Sequence, residues 1–244
     1  NILAHIFLFF IFFGIKLNGI PISLSKFFVL FCFLIVFTYP TFIKRFTKIF
    51  KNRNFIIILF FFVFILICSS LWPIIHNTND ISFLKFNISH LFDSILSSLF
   101  FAILFLKDKS YEYLCKLFIN VIFIQAVIIF MMLTLPFIRN FIFLINSSDS
   151  QILFERTTFR GLGFSSDVTY GFSVQLSFGL LLTTILFYLK QKVLISYFII
   201  YLIILFAIFF TARSGLLGFL LSVFLMIIIT LRNLKVSQLK ILIK

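Results

Sequence analysis

Apolar residues in this chain come in long runs separated by short basic or polar breaks. An α-helix needs about 20 apolar residues, with a usable range of about 17–25, to cross a hydrocarbon core about 30 Å thick. Eight runs meet or approach that length: 2–15, 27–43, 55–72, 87–106, 117–135, 170–189, 193–210 and 214–231. They predict an all-α fold, a polytopic transmembrane helical bundle of about eight spans, organised as one integral-membrane domain over residues 1–244. The first run is short and the chain opens on Asn1 instead of Met, which predicts a fragment whose N-terminal turn or more is missing. A cleaved signal peptide is the weaker reading, because Lys16 follows the run without a small-residue cleavage pattern. The last two runs together cover 39 residues. A straight helix of that length would be about 58 Å long, far beyond the membrane core. A hairpin is therefore required, with Thr211-Ala212-Arg213-Ser214-Gly215 as its polar tip.

Composition identifies lipid as the solvent. Of 244 residues, 62% are hydrophobic and 11% charged, Phe occupies 42 positions and the mean hydropathy is +1.22. A soluble domain is nearer about 45–50% apolar and about 25% charged. An ordinary cytosolic globule, a disordered tail and a disulfide-stapled secreted module are all excluded. Cys32, Cys68 and Cys115 are far apart and read as small hydrophobes.

The net charge of +14 would suggest nucleic acid in a soluble protein. Here the basic residues sit between apolar runs and orient them, so no nucleic-acid partner is expected. One set of alternate connections (44–53, 107–116, 190–192 and the tail from 232) holds fourteen Lys and Arg; the other set holds seven. The positive-inside rule assigns the richer set to the cytoplasm, together with both ends of the chain, and places connection 136–169 outside.

That outer connection collects the polar chemistry. After Arg139, the apolar patch at 141–145 suggests a segment lying along the membrane surface. The loop closes with Glu155-Arg156, then Arg160-Gly161-Leu162-Gly163-Phe164-Ser165-Ser166-Asp167, just before a helix begins. Two glycines permit tight backbone geometry, and a helix start offers free N–H groups and a positive dipole end. An Arg beside such a start suits a phosphate or pyrophosphate, whose oxygens its fork can bind in pairs. The plain alternative is a solvated loop with a Gly turn and an Asp near the helix start.

Arg213 is the second candidate, at a hairpin tip with Thr211 and Ser214 as its polar neighbours and no acid nearby in sequence. Either it snorkels to water or an anionic ligand supplies the missing charge. The third feature is a helix face: Asn87, His90, Ser94 and Ser97, flanked by Asp93 and Ser98, fall within an arc of about 140°. Such a face lines a polar cavity or hydrogen-bonds to another helix. His5 and His76 read as structural, and no metal-ligand spacing is present, so neither metal nor cofactor is expected.

The segments Phe159-Arg160-Gly161-Leu162-Gly163-Phe164 and Phe210-Thr211-Ala212-Arg213-Ser214-Gly215-Leu216-Leu217-Gly218 together resemble the O-antigen polymerase and ligase superfamily. The family commonly shows a Thr-x-Ser-Arg-Ser/Gly pattern at the second place, where Ala212 stands in this chain for the Ser before the Arg. The resemblance covers residues 160–231 with motif support, and the rest through hydrophobic architecture alone. It implies a membrane glycosyltransferase of the bacterial inner membrane that polymerises undecaprenyl-pyrophosphate-linked repeat units at the periplasmic face, without metal or nucleotide sugar. A chain-length regulator protein would be a partner beside the lipid-linked glycan and membrane lipid.

On that likeness Arg160 and Arg213 hold the leaving pyrophosphate, and Asp167, Glu155 or Asp93 is the base. Arg156, Gly161, Gly163, Thr211, Ser214, His90 and Asp93 are the substrate-binding candidates. Family members usually carry further helices and a second large outer loop beyond this hairpin. An O-antigen ligase, which transfers glycan to lipid A–core, would share all these residues. From another class, a lipid-linked oligosaccharide flippase or other transporter would show midplane charges, which this chain lacks, and Gly- or Pro-broken helices, whereas its four prolines lie near helix ends.

Overall fold

A computed structural model describes residues 2–15, 17–19, 23–76, 81–90, 95–106, 109–145, 163–164, 170–190, 194–212 and 214–242, without the side chains of Phe83, Phe86, His90, Tyr170 and residues 230–242. The regular elements among them are helices. In chain order they are α1 (Ile2–Phe13), α2 (Leu24–Thr38), α3 (Pro40–Phe50), α4 (Arg53–Ile75), α5 (Ser82–His90), α6 (Ser97–Phe101), α7 (Tyr111–Thr134), α8 (Pro136–Ile145), α9 (Tyr170–Lys190), α10 (Ile195–Phe209) and α11 (Gly215–Leu242).

Three helices are long and apolar enough to cross a membrane: α4, α7 and the stretch Gly171–Lys190 of α9. A fourth span results if α2 and α3 are taken together, although they meet at an angle of 106°. Helices α1, α8 and α10 and the apolar part of α11, Gly215–Ile229, are shorter. The run at 27–43 thus belongs to two helices, because Pro40 pushes Tyr39 into extended backbone and starts a new helix at its own first position. The run at 87–106 is divided between the end of α5, α6 and a π-helical turn at Ala102–Leu106.

The chain packs as two compact units, Asn1–Pro21 with Lys109–Lys244, and Ile22–Asp108. In the first, α9 packs against α1, α7, α10 and α11. Helices α7 and α9 run antiparallel. At one end Glu112 pairs with Lys190 at 2.8 Å and with Lys116 at 2.6 Å. In the middle, Cys115 and Ile119 cluster with Leu182 and Leu186. Further along, Gly179 lies against Ile122. Thr183 and Thr184 are buried, yet each hydroxyl donates to the carbonyl one turn back, at 2.8 and 3.0 Å, so apolar surroundings tolerate them.

Small residues bring α9 and α11 together. A Cβ added at Gly218 would collide with the Ser177 side chain, the close approach that Gly permits between membrane helices. Tyr201 of α10 and Ser222 of α11 share a buried hydrogen bond of 2.7 Å.

In the second unit α4 is the longest apolar helix, yet only 6% of its apolar window is buried. Asn52 caps it through Oδ1, which accepts from the Asn54 amide at 2.9 Å. Helix α5 is tied to α4 where Asn87 Nδ2 donates to Ser69 Oγ at 3.0 Å.

Candidate functional site

Of the described site residues, Gly163, Thr211 and Ser214 lie in the first unit, the last two at the end of the α7–α9 pair opposite Glu112 and Lys190. Helix α7 finishes here at Leu135, and Pro136 turns the chain directly into α8. Helix α9 starts at this end and the hairpin between α10 and α11 returns to it. Helix α1 ends here as well: Gln175 Nε2 donates to the Phe12 carbonyl at 3.0 Å, and the Phe13 and Phe172 rings meet edge-on with centroids 5.9 Å apart.

The hairpin tip is tightly built. Thr211 is buried, and its hydroxyl donates to the Ile208 carbonyl at 3.0 Å while its amide donates to the same oxygen at 3.1 Å. Ala212 is buried too, and its carbonyl receives the Gly215 amide at 3.3 Å. The Ser214 hydroxyl meets Ser173 Oγ at 2.6 Å, one turn into α9. Gly215 is seated so closely that a Cβ there would come 2.8 Å from the Ser173 carbonyl oxygen and 2.5 Å from Ile208. Ser214 and Gly215, which follow Arg213, are therefore clamped onto the start of α9, the helix that comes after the Arg160-Gly161-Leu162-Gly163 segment in sequence. A cavity of about 310 Å³ opens beside this contact, lined by Ser177, Ser214 and Gly218 among apolar neighbours.

Gly163 provides the second anchor. It is buried with φ +52°, in the left-handed region that favours glycine. A Cβ there would approach Gln125 Nε2 to 2.6 Å. Gln125 is fully buried in α7, and neither of its amide atoms has a hydrogen-bond partner among the described residues. An unpaired buried amide costs about 1–3 kcal/mol, and Gln125 lies directly beneath Gly163. Phe164 lines an apolar groove of about 590 Å³ with residues of α1 and α7, including His5, whose Nε2 lies 3.5 Å from Asn120 Nδ2.

Among the sequence candidates, Thr211 and Ser214 thus sit in the hairpin tip at the start of α9, and Gly163 sits on Gln125 of α7 in the same unit. Arg156, Arg160, Gly161, Asp167 and Arg213 lie outside the described residues, as does Asp93. His90 closes α5 in the second unit with its backbone alone described. Of its neighbours on that face, Asn87 hydrogen-bonds across to α4, Ser97 is buried, and the Ser98 hydroxyl donates to the Ile95 carbonyl at 3.0 Å. Sequence reasoning passed over Gln125, Ser173 and Ser177. Gln125 had a signal, an amide inside the apolar run 117–135. The serines had none, since small hydroxylated residues are ordinary within membrane helices.

Among the described residues no three His, Cys, Asp or Glu side chains gather as metal ligands would. Comparisons of this chain with protein-family models, with curated proteins and with solved structures return no match.

Proposed function

We propose that this protein is a membrane glycosyltransferase that polymerises undecaprenyl-pyrophosphate-linked oligosaccharide repeat units into an O-antigen or capsule-type polysaccharide. The proposed setting is the bacterial inner membrane, with eight spans, both ends of this chain cytoplasmic and the 136–169 connection on the periplasmic face. The supporting observation is the 2.6 Å Ser173–Ser214 contact. It holds Ser214, next to Arg213, against the start of the helix that follows Arg160 and Asp167 in sequence. The hairpin motif thereby meets the first turn of α9, the helix that follows the Arg160-Gly161 motif in sequence.

The chemistry follows from charge. An acceptor hydroxyl oxygen attacks the anomeric carbon of the growing glycan. The carbon–oxygen bond to pyrophosphate breaks, and the pyrophosphate leaves with the electron pair. Arg160 and Arg213 offset the negative charge that builds on it. A carboxylate, with Asp167, Glu155 and Asp93 as the choices, takes the hydroxyl proton. Gly161 and Gly163 let the backbone approach the substrate closely, while Arg156, Thr211 and Ser214 contribute polar contacts. His90 and Asp93 belong to this reading as lining of a polar cavity.

The test replaces each arginine by lysine, which keeps the charge and removes the bidentate fork. Arg160→Lys and Arg213→Lys should each abolish long-chain glycan in cells carrying the full-length protein, with normal membrane levels. Single-repeat product should persist, because a ligase elsewhere still transfers unpolymerised units. Wild-type chain lengths in both variants would overturn the pyrophosphate clamp.

A further inference from the structure

Helix α3 divides cleanly into two faces. At about 100° per residue, Phe42, Ile43, Phe46, Ile49 and Phe50 fall within an arc of about 120°. Lys44, Arg45, Lys48 and Lys51 fall within a second arc of about 120° on the opposite side. The helix also sits at a boundary. It leaves α2 through the 106° bend, and α4 starts at Arg53, two residues past Lys51. The 23 residues of α4 extend about 35 Å, enough to cross the hydrocarbon, so its charged first turn marks a membrane edge. Three cations within α3, and Lys51 at its cap, keep it out of the hydrocarbon itself.

The apolar ridge is continuous with the neighbouring spans. Phe46 stacks with Phe37 of α2 at 5.5 Å and with Phe50 at 4.6 Å, and Phe50 meets Phe55 of α4 at 5.0 Å. Arg45 is engaged inside the unit: Nη1 donates to the Ile103 carbonyl at 3.1 Å and the guanidinium lies over Phe42. Lys44, Lys48 and Lys51 are exposed and form no ion pair among the described residues. The sequence has no acidic residue before Asp80. Helices α2, α3 and α4 hold no carboxylate to pair with them, so this face is open to an external anion.

We propose that α3 is an in-plane strip that binds the head groups of anionic phospholipids, with its phenylalanines in the acyl region and Lys44, Lys48 and Lys51 at phosphate level. The apolar ridge decides between a lipid and an acidic protein. A short helix that immerses one face in acyl chains holds its opposite face at the depth of the phosphates. The proposal stands apart from the glycosyltransferase reading and holds for any activity of the chain.

The test uses the full chain in vesicles, with a fluorophore on Thr47→Cys in a background where Cys32, Cys68 and Cys115 are alanine. Thr47 is exposed and lies at the edge between the two faces. Brominated phosphatidylglycerol and brominated phosphatidylcholine are compared as quenchers at equal mole fraction. The expected result is an association about fivefold or more stronger for the anionic lipid. That preference should collapse in about 0.5 M salt and in Lys44→Gln/Lys48→Gln/Lys51→Gln. Equal quenching by the two lipids overturns the proposal and leaves the basic face to an acidic protein. So does a preference that survives the triple substitution. The salt series on the unsubstituted helix keeps the test decisive whatever the variant does to folding.

Discussion

The hydroxyl oxygens of Ser173 and Ser214 lie 2.6 Å apart across 41 residues of sequence. Around them Gly215 is pressed onto the Ser173 backbone and onto Ile208, leaving no room for a side chain at that position. This hydrogen bond and Gly215 contribute to the height at which the hairpin tip meets α9. Hydrogen bonds between membrane helices contribute about 0.6 kcal/mol on average, with a maximum of about 1.7 kcal/mol. We expect Ser173→Ala, Ser214→Ala and the double variant to yield a coupling energy in that range when unfolding is measured in detergent. Fully additive losses would mean that the two hydroxyls do not interact.

The approach of α9 and α11 at Ser177 and Gly218 should behave as a steric lock. Gly218→Ala inserts a methyl group into the Ser177 side chain, and overpacking of this kind costs about 1–3 kcal/mol. Thermal unfolding should shift down accordingly. Ser177→Gly in the same chain should restore most of the loss, since it removes the atoms that clash. Failure of this rescue would show that the two helices are not in contact at this level.

Gly163 is constrained twice, by its left-handed backbone and by Gln125 beneath it. Gly163→Ala should destabilise through both, and Gln125→Ala should relieve only the steric part. The left-handed conformation retains a penalty of about 1–2 kcal/mol for a side chain at that position. Partial rescue in a thermal melt is the expected outcome. Complete rescue would show that backbone strain plays no part there.

Cysteine labelling checks the proposed topology. An impermeant reagent added from the periplasm should label cysteines introduced at Ser148 and Thr78 and leave one at Asn52 unlabelled. Labelling at Asn52 with protection at Ser148 would invert the arrangement and remove the proposed site from the periplasmic face.

The helical class and the apolar solvent were legible because they depend on each residue separately. Runs rich in Phe, Ile and Leu partition into lipid whatever their neighbours, and in lipid a single-chain segment satisfies its backbone as helix. Basic connections likewise mark helix borders one residue at a time. Run length was a poorer guide to the elements themselves. The stretch 27–43 counts as one apolar segment, yet Pro40 ends α2 and re-aims the chain by 106°. The signal was one imino acid, and a sum over hydropathy averages it away.

Tertiary structure alone decided which residues meet. Helices such as α1 and α10 are apolar almost all the way round, so no stripe in the sequence announces a buried face. Which serine of α9 faces Ser214, and which residue of α7 lies under Gly163, depends on the rotation and axial offset of two helices. Those are set by the combined fit of many side chains, among them Gly179 on Ile122 and Gly218 on Ser177. Partition into lipid is a property of single residues and can be read along the chain. Packing within lipid is a property of pairs and layers, because lipid tails are as apolar as the helices and only close steric fit and hydrogen bonds distinguish one neighbour from another.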